Sequence, residues 1–344
     1  MFLDMQFAKI KKENKTPIKN KIKHIVISGG GTVGFSYLGV LSQSHKMGWW
    51  NINDIKSIYA TSAGTLCGLL IVLNLDWDII LEYFKSRPWE LLFTLKGNIL
   101  SYFYRKGILG KNVIDEMFEP FFRMKEYSQD ITMKELYDDT GIDFHCFITD
   151  FTSFELLNVS HTTHPNWKLM DVIYASCCVP VLFEPFFKDN RSYVDGGFLC
   201  NYPSLYCVSE QIAHPNEILL LNMSLKTSRD IHDGSNLFEF INRLIEMVLL
   251  KLQQTPPPPA TPPTPITQPI DPSADETETP PNNGENLNHF PNEIVVGKMP
   301  TVFEIINVMG SEEKRKELIE YGIELVKTSN IFGISGAVVP AFSL

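Results

Sequence analysis

His24-Ile25-Val26-Ile27-Ser28-Gly29-Gly30-Gly31-Thr32-Val33-Gly34 and, one unit later, Ser57-Ile58-Tyr59-Ala60-Thr61-Ser62-Ala63-Gly64 decide the reading of this chain. His24 to Ile27 is a short apolar run that stops at glycines, as a buried strand does. Ser57 to Ala60 repeats that pattern, and the segments that follow, Phe35 to Met47 and Ala63 to Asn74, read as helices. Two successive strand–turn–helix units predict an α/β domain with a mostly parallel central sheet and helices on both faces.

Outward from this core, 76–85 and 111–123 read as helices, the second with Val113, Ile114, Met117 and Phe118 on one face. Strand-like runs follow at 144–149, 154–159, 192–194 and 217–222. Residues 236–253 carry Leu237, Ile241, Leu244, Val248 and Leu252 at helical spacing, a stripe expected to pack on the sheet, with a lipid surface as the alternative. The expected organisation is a Lys-rich flexible leader over 1–22, a catalytic domain over 23–254, and a Pro-rich disordered insert over 255–297. Helices in 298–344 are expected to pack back on the domain, one of them with Ser311 as its N-cap. The insert lacks the apolar residues that would offset its ordering entropy. Its proline runs fit a partner that binds polyproline motifs, although no Lys or Arg flanks them.

With 44 % hydrophobic residues among 344, the chain can build a large core. A net charge of −10 argues against a nucleic-acid partner. The lysines at 9, 11, 12, 15, 19, 21 and 23 run against that balance and suit an anionic phosphate surface. Neither a secretory signal nor a stretch long enough to span a membrane is found, so an intracellular, cytoplasmic chain with peripheral membrane contact is expected. The six cysteines show no metal spacing and read as reduced thiols.

Three motifs carry chemistry. Gly29, Gly30, Gly31 and Gly34 form a loop between strand and helix whose N–H groups can converge on an oxyanion, aided by the positive end of the following helix. The same glycines match a dinucleotide fingerprint, but no acid ends the next strand to hold a ribose. Ser62 lies between small residues, Ala60, Ala63 and Gly64, at a strand-to-helix turn, as a nucleophile elbow requires. Asp195 sits before Gly196 and Gly197, where a glycine turn lets a carboxylate approach the serine; burial would raise its pKa toward that of a useful base. His214, His232 and His289 follow Asp195 but sit in loop or low-complexity sequence, which favours a Ser–Asp dyad over a triad.

These motifs resemble the patatin-like phospholipase family, with its glycine-rich oxyanion loop, G-x-S-x-G elbow and D-G-A/G turn. Ala175-Ser176-Cys177-Cys178-Val179-Pro180 through Phe183 is similar to the family's A-S-x-x-x-P-x-x-F segment, and Asn201-Tyr202-Pro203 to its N-x-P. The resemblance covers roughly 24–223. It implies Ser62 as nucleophile, Asp195 as general base and, within the Gly29, Gly30, Gly31 and Gly34 loop, the Gly30 and Gly31 N–H groups as oxyanion donors. It also implies hydrolysis of phospholipid or acylglycerol esters, at a membrane or lipid-droplet surface, through an acyl-enzyme and without metal or other cofactor. Two departures stand out: Val33 occupies the place of a usual Arg or Lys, and Ala60 that of the first elbow glycine. A catalytically weak or inactive lipid- or partner-binding module is the alternative reading. Apolar residues of 99–103 and 183–187 are expected to wall an acyl chain.

Overall fold

Alternation along the strands divides their side chains between two cores. Ile25 and Ile27 join Ile58, Ala60, Leu219 and Leu221 on one face, while Val26, Tyr59, Ile218 and Leu220 belong to the other. The computed structural model describes residues 21–93, 99–224, 231–235, 290–298 and 300–329, with single positions between 240 and 251. Among these the strands are β1 (His24–Ile27), β2 (Ser57–Thr61), β3 (Gly107–Leu109), β4 (Asp143–Asp150), β5 (Glu155–Val159), β6 (Val181–Phe183), β7 (Phe186–Lys188), β8 (Arg191–Asp195), β9 (Ile218–Ser224) and β10 (Glu293–Lys298). Eight of them form one sheet in the order β10-β9-β1-β2-β4-β8-β7, with β5 also paired to β4. From β10 to β4 the pairing is parallel; β5, β8 and β7 are antiparallel. Strands β3 and β6 make a separate parallel pair.

Strand β4 sets the geometry of the molecule. It pairs with β2 through Asp143 to Phe147, with β5 through Cys146 to Asp150, and with β8 through Ile148 to Asp150. Because β5 shares residues of β4 with each of the others, β2 and β8 must lie along the same edge, end to end. Thr61 ends β2 opposite Phe147, and Asp195 ends β8 opposite the next residue, Ile148.

The helices are α1 (Gly34–Lys46), α2 (Ala63–Leu73), α3 (Trp77–Ser86), α4 (Glu90–Phe93), α5 (Ile99–Arg105), α6 (Asn112–Met124), α7 (Met133–Thr140), α8 (Leu169–Cys177), α9 (Ser204–Gln211), α10 (Val302–Met309) and α11 (Glu312–Thr328). Helices α1, α2 and α8 cover the larger core, and α9 covers the other face with Cys207 and Val208. The fold is therefore an α/β sandwich with helices on both faces of a mostly parallel sheet. The six cysteines are unpaired thiols. Among the described residues no helix is long and apolar enough to cross a membrane.

The C-terminal helices close on the glycine-loop side. Helix α11 crosses α1 at two glycines: a Cβ on Gly39 would stand 2.1 Å from Ile319 O, and one on Gly322 2.0 Å from Ser36 O. Arg315 of α11 is 1 % exposed, and the nearby carboxylates of Glu90 and Glu312 favour its charge through space. Its guanidinium donates to Lys85 O, Arg87 O, Val308 O and Met309 O, between 2.7 and 3.4 Å, at the carbonyl ends of α3 and α10. Both are negative helix ends, which is where a buried cation is best placed.

Ordered backbone resumes earlier than the expected boundary at 298. Strand β10 lies inside the stretch expected to be disordered, because Ile294 and Val296 alternate into the core beside β9. The described positions of 236–253 are helical, and of the stripe expected to pack on the sheet Leu244 and Val248 are exposed and Ile241 is half-buried, while Leu237 and Leu252 lie outside the described residues. Both faces of the sheet are already closed by other helices. Most of the leader, the proline runs and 330–344 lie outside the described residues.

Replacing Arg315 with Ala takes a donor from four carbonyls, of which Arg87 O keeps Trp89 N and Val308 O keeps Ser311 N, while Lys85 O and the buried Met309 O lose the guanidinium. Urea unfolding of Arg315→Ala is expected to show a loss of about 3 kcal/mol, with Arg315→Lys, which lacks the planar fork, recovering only part of it.

Candidate active site

Ser62 stands between β2 and α2 with φ 53° and ψ −128°. A serine in the left-handed region stores roughly 1–3 kcal/mol of strain and persists only where neighbours hold it. The neighbours here are specific. Ser62 N donates to Ser176 Oγ (3.0 Å), and Ser176 Oγ donates to Phe147 O (2.7 Å), which ties the elbow to α8 and β4. Ser62 O accepts from Thr65 Oγ1 (2.6 Å) and Thr65 N (2.8 Å). Gly64 has to be glycine, since a Cβ there would lie 2.4 Å from Ile27 O and 2.8 Å from Ser28 O. Ala60 is fully buried within the core.

Asp195 arrives from the opposite direction. Its backbone is fixed by Thr149 Oγ1 donating to Asp195 O (2.9 Å) and Asp195 N donating to Cys178 O (3.0 Å). Gly196 lets the turn press on β4, where a Cβ would stand 2.1 Å from Phe147 O. Oδ1 accepts from Gly197 N (2.7 Å), while Oδ2 is buried without a complete hydrogen bond. Burial pushes the Asp195 carboxyl up to about 6, although the Ser62 hydroxyl and the Gly197 N–H each pull it down. Among the described residues no histidine is bonded to either group: His214 caps a short helical turn by accepting from Asn216 N, and His289 lies outside the described residues.

The four loop glycines do different jobs. Gly29 N donates to Asn201 O (3.1 Å) and Gly34 N to Gly31 O and Thr32 O, so neither N–H is available to an oxyanion. Gly30 and Gly31, the two expected to donate, have N–H groups with no partner among the described hydrogen bonds. Gly29 is needed for closeness, because a Cβ would lie 2.4 Å from Asn201 Oδ1 and 3.0 Å from Ser62 Cβ. Gly31 takes φ 52°. Val33 turns away from Ser62 into the core near Gly297, and no Lys or Arg lines the cavity at Ser62.

That cavity holds about 110 Å³ and is almost wholly apolar. It starts at Ser62 and follows α2 past Leu66 and Leu70, roughly 12 Å at 1.5 Å per residue. Phe84, Ile114 and Met117 wall its inner part, and Ile305 and Met309 of α10 close it from the C-terminal side. Of the described residues expected to wall an acyl chain, Phe183 does so, while Leu100, Phe103 and Phe187 face solvent. Sequence reading missed Ser176, Asn201, Ile305 and Met309 as parts of the site. The first two fell within quoted segments, but nothing local links the last two to a serine more than two hundred residues earlier.

Residues 25–208 match the family model described as patatin-like phospholipase. The chain is 28 % identical over 185 residues to a probable lipid hydrolase of Invertebrate iridescent virus 6, covering 53 % of this chain and 61 % of that relative. It is 23 % identical over 198 residues to an uncharacterized protein of Acanthamoeba polyphaga mimivirus (56 % and 64 % covered). It is 25 % identical over 170 residues to a triacylglycerol lipase of Schizosaccharomyces pombe (46 % and 33 %). The chain thus spans less than two thirds of the length of these curated relatives. Among solved structures it is similar to VipD from Legionella pneumophila, with a TM-score of 0.44 at 15 % identity, over 92 % of this chain and 72 % of that one.

Two outcomes follow from the geometry. Ser176→Ala removes the acceptor of a buried N–H and is expected to cost about 1–3 kcal/mol in urea unfolding, with faster hydrogen exchange at the Ser62 amide. Asp195 has a folded pKa above the 3.8 of the unfolded chain, so its ionisation opposes folding at neutral pH. Asp195→Asn is therefore expected to raise the unfolding midpoint at pH 8. The gain should shrink as pH falls through about 6 and vanish below 3.8.

Proposed function

The chain belongs to the patatin-like phospholipase family, and from that premise we propose that it is a lipid acyl hydrolase working through a Ser62–Asp195 dyad. One observation carries this reading: a strained serine that lines an apolar cavity has the buried Asp195 carboxylate against its hydroxyl. A solvated turn aspartate would have no reason to sit there, because burying a carboxylate costs stability.

In the proposed reaction the acyl chain lies in the cavity along α2, with its ester carbonyl at Ser62. Asp195 accepts the Oγ proton as Oγ bonds to the carbonyl carbon. The N–H groups of Gly30 and Gly31 hold the negative oxygen, in a site dry enough for such donors to act strongly. The tetrahedral intermediate collapses, and the departing alcohol takes the proton from Asp195. Water then gives a proton to Asp195 and attacks the acyl-enzyme, releasing the fatty acid and restoring Ser62. This route uses no metal or cofactor. A pKa near 6 leaves Asp195 ionised at neutral pH and a better proton acceptor than an ordinary carboxylate.

The cavity is small, about 110 Å³, and its apolar lining suits an alkyl chain and not a headgroup. The substrate class is therefore set by the acyl half: carboxylic esters of phospholipids or acylglycerols. The names of two relatives, a probable lipid hydrolase and a triacylglycerol lipase, agree with that class.

The test is fatty-acid release from phospholipid and triacylglycerol dispersions, run with fluorophosphonate labelling. Ser62→Ala is expected to lose both release and labelling, and Asp195→Asn to fall about 10²–10⁴-fold in rate. In the unmodified protein kcat/KM should decline tenfold per pH unit below about 6, as Asp195 takes up its proton. Labelling that persists in Ser62→Ala would overturn the assignment.

A further inference from the structure

Helix α5 buries little of what it carries. Leu100, Phe103 and Tyr104 stand at i, i+3 and i+4 on one face, and they are 62 %, 81 % and 77 % exposed. Phe187 of β7 is 60 % exposed beside them, with the Lys106 ammonium 5.8 Å from its ring centroid. Arg105 ends the helix and pairs with Glu184 at the β6–β7 turn. An apolar face of aromatic side chains edged by cations has the composition of a segment seated at the headgroup level of a bilayer.

The position of this patch matters as much as its composition. Helix α5 leads into β3, whose Gly107 and Leu109 pair with Val181 and Phe183 of β6. Leu182 and Phe183 of that same strand line the cavity at Ser62. The exposed face and the wall of the cavity therefore belong to one small, continuous unit.

We propose that Leu100, Phe103, Tyr104 and Phe187, with Lys106, form the surface by which this protein docks on a phospholipid bilayer, bringing the cavity to the lipid layer. The proposal deepens the hydrolase reading and rests on it for the use made of the cavity. The four apolar side chains offer roughly 500 Å², short of the ~800 Å² per partner that a lasting protein interface needs. A bilayer needs no matching partner surface, and aromatic rings with a neighbouring ammonium suit its interfacial layer.

The experiment is co-sedimentation of the full chain with vesicles of phosphatidylcholine, with and without phosphatidylserine. The unmodified protein and the Phe103→Asp/Tyr104→Asp variant are compared, and each is also assayed on a water-soluble short-chain ester. The variant is expected to lose about tenfold or more in vesicle binding and to lose hydrolysis of vesicle lipid in proportion. Hydrolysis of the soluble ester should be unchanged, because neither residue lines the cavity. Phe103→Leu should retain binding, which separates apolar insertion from a folding defect.

Equal vesicle binding by the double variant overturns the proposal, as does an unmodified protein that stays in the supernatant. A self-associated species that Phe103→Asp dissociates also overturns it, by giving the surface to a second copy. Failure of the hydrolase reading looks different: vesicle binding that depends on Phe103 and Tyr104, with no hydrolysis of any ester.

Discussion

The pairing of Phe147 with Thr61 and of Ile148 with Asp195 along one edge of β4 is the constraint from which the site follows. A parallel strand running up that edge and an antiparallel strand running down it have to stop where they meet. The residues released at the junction are Ser62 and Asp195. The carbonyl of Phe147 serves both: it anchors Ser176, which holds the Ser62 amide, and it is the surface against which Gly196 turns. A serine and a carboxylate more than a hundred residues apart are thus positioned by one peptide group.

Burial decides what the pair can do. The apolar cavity and the core beneath it raise the Asp195 pKa to about 6, which costs stability at neutral pH and gives the carboxylate more affinity for a proton. The same dryness strengthens any hydrogen bond offered by Gly30 and Gly31. Strain at Ser62 is tolerated because Thr65, Ser176 and the close approach of Gly64 to β1 fix the turn from several sides. Stability and site geometry pull in opposite directions here, and the surrounding hydrogen bonds hold the balance.

The C-terminal segment completes the cavity that the catalytic core begins. Pro300 and Ile305 pack on Gly31, Met309 walls the cavity, and Arg315 locks both α3 and α10 by their carbonyl ends. Val33 makes sense in this setting. Its side chain is buried near Gly297, outside the cavity at Ser62 and beside a small pocket that Lys298 and Glu317 also line.

Much of this was legible in the sequence. Short apolar runs marked β1, which stops at glycines, and β2, and small residues around Ser62 and after Asp195 marked two turns that only small residues allow. These are local properties, set by sterics within a few residues, and so is the capping of α11 by Ser311. The sequence did not say that Asn201 O takes the Gly29 N–H. It did not place β10, whose two buried residues follow a stretch of contrary composition, nor did it turn α5 outward. Ile305 and Met309 were invisible as cavity walls for the same reason. Residue type and spacing determine local conformation and the chemistry a side chain could perform. Strand register, burial and the packing of distant segments decide which groups meet and in what dielectric, and those exist only once the chain has folded.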